Sequence, residues 1–199
     1  SKGVLDLIEA VSRLDARRLP RFHLRLVGNL NFSDPAYIAR IRTLIARYGL
    51  GELVEFAGTA DDATLAFYFR RAHVLTLASY HEGFCVPVAE ALRAGAIPIT
   101  YDAGNLPAIA NGLGRLSPTG NVTALASGLA ELIADVDVAR HAPHDRHLRL
   151  DRGCMSAAAF TEAAHAYMKT LTYDRFVERT RERVLALAGQ PACGIRAHR

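Results

Sequence analysis

Two glutamates, Glu82 and Glu90, bracket the seven residues Gly83-Phe84-Cys85-Val86-Pro87-Val88-Ala89, which hold a glycine turn and a helix-starting proline. Proline is favoured at the first helical position because its fixed φ suits the helix and its missing N–H would have no intrahelical partner there. Pro87 is therefore expected to open a helix running to about Arg93, with Glu82 in the preceding loop and Glu90 in the first turns. The backbone N–H groups of Gly83, Phe84 and Cys85, together with the positive end of that helix, make a concavity suited to a diphosphate. One carboxylate stands on either side of that anion. An ionised carboxylate has two acceptor oxygens, so Glu90 is suited to take paired hydrogen bonds from vicinal hydroxyls such as those of a ribose.

The elements that must position these groups can be read from periodicity. Val4, Leu5, Leu7, Ile8, Val11 and Leu14 recur at helical spacing, and Phe22 to Val27 is a β-rich run ended by Gly28-Asn29. A helix from about Ala36 to Tyr48 leads through Gly49 into a strand from Leu53 to Phe56. Asp61-Asp62 can cap a helix through Arg71, and His73 to Leu77 gives a strand immediately ahead of the glutamate loop. In open parallel sheets ligands bind at the carboxyl ends of strands, which is where this places the loop. Ile97 to Thr100, Leu113 to Leu116 and a helix from Val122 to Ala134 continue the alternation. Beyond Asp135 no further strand is expected: the remainder is helical and Arg-rich, with breaks near Pro143 and Gly153 and a frayed tail over 189–199.

Composition narrows the class. A chain of 199 residues with a hydrophobic share of 50% can bury a sizeable core, and no apolar run approaches the ~18 residues of a membrane span. No secretory leader is visible. Cys85, Cys154 and Cys193 are odd in number and widely spaced, which suits free thiols in a reducing compartment, so a cytoplasmic location is expected. The net charge of +4 favours anionic partners such as a nucleotide diphosphate or acidic lipid, and no motif for base readout argues for nucleic acid. The absence of G-x-G-x-x-G argues against a dinucleotide oxidoreductase.

The Glu82–Glu90 segment resembles the E-x7-E signature, in an "EGFG-x-P-x-x-EA" context, of the family 4 retaining glycosyltransferases with the GT-B fold. Lys2-Gly3 is similar to the "KG" that follows the first strand in that family, Leu26-Val27-Gly28 to its "vGdG" turn, and Val54-Glu55-Phe56-Ala57-Gly58 to its "V-x-F-x-G". These fall in family order and, with the Gly95 to Ile99 strand entry, cover residues 2 to 135. The resemblance implies an α/β fold: a Rossmann-like parallel sheet flanked by helices, one half of a GT-B fold, with extra C-terminal helices. It divides the chain into a nucleotide-sugar-binding domain over 1–135, a helical extension of it over 136–188 and a tail over 189–199. Such a chain would begin just after the first strand of the C-terminal half. Its acceptor-binding N-terminal half would come from a missing segment or a partner subunit.

By the same resemblance Glu82 is the catalytic carboxylate, facing the transferred sugar as a stabiliser of positive charge. Glu90 takes the ribose hydroxyls. The donor-binding set is Lys2, Gly28, Thr59, Ser79, His81, Gly83, Phe84, Cys85, Val86 and Glu90. The expected donor is a GDP- or UDP-linked sugar, with no other cofactor and no metal, and the inner face of a membrane is compatible with the basic charge. The competing class is a non-catalytic nucleotide-sugar-binding or assembly module that works through a partner.

Several residues depart from the pattern or have plainer readings. Cys85 replaces a glycine of "EGFG", so its N–H can reach phosphate only if its φ is negative. Ala78 stands where proline is common, Ala108 follows Pro107 where the family often has glutamate, and Asn29 leaves the glycine turn incomplete. His81 either contacts sugar or diphosphate or caps the loop. His141, His144 and His147 are spaced by three, but Pro143 interrupts them and no cysteine or carboxylate pair completes a metal set, so a solvated loop is expected. Cys85 lacks the histidine partner of a nucleophile. Phe176, Val177, Val184 and Leu187 are the apolar positions of a terminal helix that docks on its own domain or crosses to the other half.

Overall fold

The computed structural model describes residues 2–15, 19–29, 34–145, 147–172, 174–175, 177–178, 181–182 and 186. Seven helices and seven strands lie between Val4 and Met168, and residues 174–175, 177–178, 181–182 and 186 are helical as well. The first is α1 (Val4–Ser12), whose buried stripe Leu7, Ile8, Ala10 and Val11 follows the predicted helical spacing. Strand β1 (Leu24–Val27) pairs in parallel with β2 (Val54–Gly58), the connection being α2 (Pro35–Arg47). Asp34 caps α2 by accepting a hydrogen bond from Ala36 N, and Pro35 follows it, as the sequence signals require.

A second parallel sheet follows in the order β3 (Val74–Leu77), β4 (Ile97–Tyr101), β5 (Arg115–Ser117). Its crossovers are α4 (Val86–Ala94) and α5 (Leu106–Ala110), and α3 (Asp62–Arg71) leads into β3 with Asp61 accepting from Thr64 N at 2.8 Å. β4 is buried along its whole length, as a central strand covered on both faces must be. Among the described residues β1 and β3 each keep one edge without a strand partner. The helix layer is unbroken across that interval, since α1 packs against both α2 and α6 (Val122–His141) and also touches β3.

The expectation that strands stop after Asp135 is corrected. α6 continues to His141, and β6 (Leu148–Leu150) pairs antiparallel with β7 (Gly153–Met155) before α7 (Ala157–Met168). The physical reason is local: Leu148 and Leu150 are buried while Arg149 between them points out, and Arg149 clasps the buried Asp135 of α6 at 2.7 Å from Nη2 to Oδ1. A single Leu-Arg-Leu run is too short to register as periodicity. α7 docks on α4, and Tyr167 donates its hydroxyl to Ala108 O at 3.1 Å. The apolar positions Phe176, Val184 and Leu187, and the tail over 189–199, lie outside the described residues; Val177 is described and is exposed.

Candidate functional site

The segment between β3 and α4 forms at the carboxyl end of β3. Ala78 and Ser79 are buried, Tyr80, His81, Gly83 and Phe84 are exposed, and Cys85 turns inward as the N-cap of α4. The helix begins at Val86, one residue before Pro87, and ends at Gly95, whose φ of +84° closes it in the left-handed conformation that glycine adopts without cost. Cys85 has φ −85°, the negative value its N–H needs to face the loop. Its thiol is pushed up, first by burial, which suits an inert core cysteine better than a nucleophile. Glu90 is half-buried on α4.

Lys2 Nζ stands 2.6 Å from Glu82 Oε1, and the Glu82 side chain is only 12% exposed. Burial alone would raise the Glu82 carboxyl. The Lys2 ammonium, the nearby buried Ser79 hydroxyl and the His81 ring outweigh it, so the group is held below the usual carboxylate range. Ser79 does this without closing a hydrogen bond of ordinary geometry. The residues that bring Lys2 here are Gly3 and Ala78. Gly3 has φ +63°, and a Cβ on it would fall 1.8 Å from Ala78 O, so only glycine lets the start of α1 meet the end of β3. Glu82 is fixed from the other side as well: its carbonyl accepts from Asn105 N at 3.1 Å, and Gly104, φ +56°, would place a Cβ 2.4 Å from that same oxygen.

Sequence reasoning missed a second group beside this loop. Tyr80 and Tyr101 both donate their hydroxyls to Asp6 Oδ2, at 2.6 and 2.8 Å, with their rings edge-to-face at 5.7 Å. Asp6 lies on α1, so the helix that directly follows Lys2 and Gly3 also anchors the loop that carries Glu82. Asp102, after β4, takes the Thr119 N–H at 2.7 Å and hydroxyl at 2.6 Å and is itself held low by those bonds. The adjoining Gly120 packs beside Tyr80. The apolar character of Asp6's neighbours at i+1 and i+2, Leu7 and Ile8, was the only sequence signal for its placement.

The other expected residues are less closely joined. Gly28 and Thr59 follow the carboxyl ends of β1 and β2 and have no described hydrogen bond or ion pair to the glutamate loop. His81 and Gly83 are exposed, and Phe84 and Val86 present 57% and 51% of their surfaces to solvent at the mouth of the loop. His141 sits against Asp137 O and His147 near Asp145, and among the described residues no cluster of three or more histidine, cysteine or acidic side chains could hold a metal. No helix among them is long and apolar enough to cross a membrane.

The chain as a whole matches known proteins. The family model described as "Glycosyl transferases group 1" matches residues 1–144. A D-inositol 3-phosphate glycosyltransferase of Streptomyces bingchenggensis is 30% identical over 174 residues, covering 82% of this chain and 38% of its own. Sucrose-phosphate synthase of Thermosynechococcus elongatus superposes with a TM-score of 0.66 at 26% identity, over 94% of this chain and 43% of its own. The C-terminal domain of a glycosyl transferase group 1 family protein of Francisella tularensis gives a TM-score of 0.65 at 20% identity, over 85% and 79%. The chain thus spans less than half the length of the first two and most of the isolated C-terminal domain.

Proposed function

Because the chain belongs to the glycosyl transferases group 1 family, we propose that it is the donor-binding half of a family 4 retaining glycosyltransferase, moving a sugar from a nucleotide-diphosphate sugar to an acceptor hydroxyl. The observation that carries this reading is the meeting of Lys2 and Glu82 at the mouth of the loop that opens α4. A cation for the diphosphate and a carboxylate for the sugar stand together where amides and a helix N-terminus favour an anion.

In this reading Lys2, the amides of Gly83, Phe84 and Cys85 and the start of α4 hold the diphosphate, with no metal required. Glu90 takes the ribose hydroxyls, while Gly28, Thr59, Ser79, His81 and Val86 complete the donor surface. The bond between the anomeric carbon and the phosphate oxygen breaks as the acceptor oxygen attacks the same face. The acceptor proton passes to the departing phosphate. Glu82 stabilises the positive charge that develops on the sugar, an effect worth most when water is excluded. When the donor arrives, its diphosphate competes with Glu82 for Lys2, freeing the carboxylate to face the sugar. The exposed Tyr80, Phe84 and Val86 form the surface that an acceptor-binding half would cover.

Calorimetry with GDP and UDP, with and without EDTA, tests the reading. Binding of either nucleotide that EDTA leaves unchanged is the expected result, and strict magnesium dependence or no binding would overturn it. A second reading is a non-catalytic nucleotide-sugar-binding or assembly module acting through a partner subunit. Turnover on addition of an acceptor-binding half separates the two.

A further inference from the structure

A cavity of about 320 Å³ lies where α3, β4, α6 and α7 meet, beside His73 at the entry to β3 and Gly95 at the end of α4, away from the glutamate loop at the carboxyl end of β3. Among the described residues Arg70, Arg71 and Arg140 line it and no carboxylate does, while its floor is made by buried apolar groups such as Ile97, Leu148 and Phe160. Its volume is in the range, roughly 300–1,000 Å³, of small-molecule sites. Each arginine stands in the last turn of a helix, where a positive side chain complements the carbonyl end. That accounts for arginine in each helix separately but still brings three exposed arginines to one hollow whose described walls carry no carboxylate. Of the three, Arg71 also lies over the Phe67 ring, 5.6 Å from its centre. The imidazole of His73 on the same rim is pushed down, by burial first and by Arg140 second.

We propose that this cavity is a second anion site, independent of the glutamate loop, that takes a small organic phosphate: the arginines hold the phosphate and the apolar floor receives the organic body. Arginine forks suit phosphate oxygens, and a mixed lining selects a ligand with both characters. None of the exposed large hydrophobic side chains among the described residues lines the mouth, so a soluble compound fits better than a lipid headgroup whose chains would need an apolar rim.

His73 is a reporter inside the site. Phenyl phosphate added to the whole chain should raise the His73 imidazole pKa by about one unit, because a bound anion favours the charged ring. It should bind more tightly than inorganic phosphate. Arg140→Gln should weaken phenyl phosphate roughly tenfold, the loss of one charge-assisted contact, and Arg71→Gln provides the same test on another helix should the first variant fold poorly. Lys2→Ala, confined to the other loop, should leave the His73 response intact, so failure here is separable from failure of the donor-site reading. No change at His73 with millimolar phenyl phosphate in a folded chain overturns the proposal. Binding to phosphatidylglycerol vesicles that Arg140→Gln abolishes, without a response to phenyl phosphate, also overturns it by assigning the arginines to a lipid surface.

Discussion

Lys2 and Glu82 lie eighty positions apart in the chain and close to 2.6 Å between Nζ and Oε1, with the ammonium exposed and the carboxylate mostly covered. An exposed pair of this kind contributes little to stability. Its effect is on the charge state of Glu82, which the pair keeps ionised despite burial.

Lys2→Ala should therefore move the Glu82 carboxyl upward, since burial then acts with less opposition. The sign follows from linkage: with its folded value depressed, Glu82 contributes stability that is present above the ordinary carboxylate range and is lost as pH falls through the depressed value. In the variant that loss begins at higher pH. Carbon-13 NMR titration of the Glu82 carboxyl measures it, and an unchanged midpoint would show that Ser79 and His81 suffice.

The two glutamates should separate on mutation. Glu90→Ala is expected to weaken GDP or UDP by about 1.5–3 kcal/mol, the range for hydrogen bonds to a charged acceptor. Glu82→Ala should leave diphosphate affinity no weaker, since the variant frees Lys2 from its carboxylate, while lowering turnover in the two-domain protein through a contribution felt mainly in the transition state. Calorimetry on this chain and kinetics on the complete enzyme decide. Equal affinity losses with turnover of the Glu82 variant intact would reverse the assigned roles.

Asp6→Ala removes the acceptor shared by Tyr80 and Tyr101. Tyr101 is fully buried, so its hydroxyl would be left without a partner at a cost of about 1–3 kcal/mol, read from urea unfolding. The Tyr101 phenol is raised, by burial first and by Asp6 second. The proton-bound form is thus favoured, and the associated stability is full below about 10, the ordinary tyrosine value, and lost as pH climbs toward the raised one. Alkaline unfolding should begin at lower pH in the variant.

Gly104→Ala combines a left-handed backbone with a Cβ 2.4 Å from Glu82 O. The backbone penalty alone is about 1–2 kcal/mol, and relieving the contact must displace Glu82. A lower melting temperature together with an altered Glu82 titration is expected. A melting loss that leaves the titration untouched would mean that the strain dissipates elsewhere.

Much of this arrangement was legible because its signals are local. Asp61 ahead of a helix, the apolar run His73 to Leu77 ahead of the glutamate loop and Pro87 at a helix start each act within a few residues, and each element formed close to its expected bounds. The helix at Leu106–Ala110 and the β6–β7 hairpin escaped because five- and three-residue elements carry too little periodicity. The Asp6–Tyr101 bond joins residues 95 apart, and Gly104 matters only because the chain brings it against Glu82. Such contacts are fixed by packing, so no window of sequence contains them.

Among the described residues β1 and β3 each leave an edge that an extended segment could pair with. Leu24 donates to Leu53 just ahead of β2 and Gly28, just past β1, donates to Gly58, so the intervening Arg25 turns its peptide groups the other way; His73, just ahead of β3, accepts from Ile97 of β4, which turns Val74 and Thr76 to the opposite side. Those peptide groups are templates for any extended chain that drifts alongside, with Arg25 the one charged side chain among the three to discourage it. An extended peptide seated on either edge would take up those groups, and amide exchange at Arg25, Val74 and Thr76 would slow on its addition.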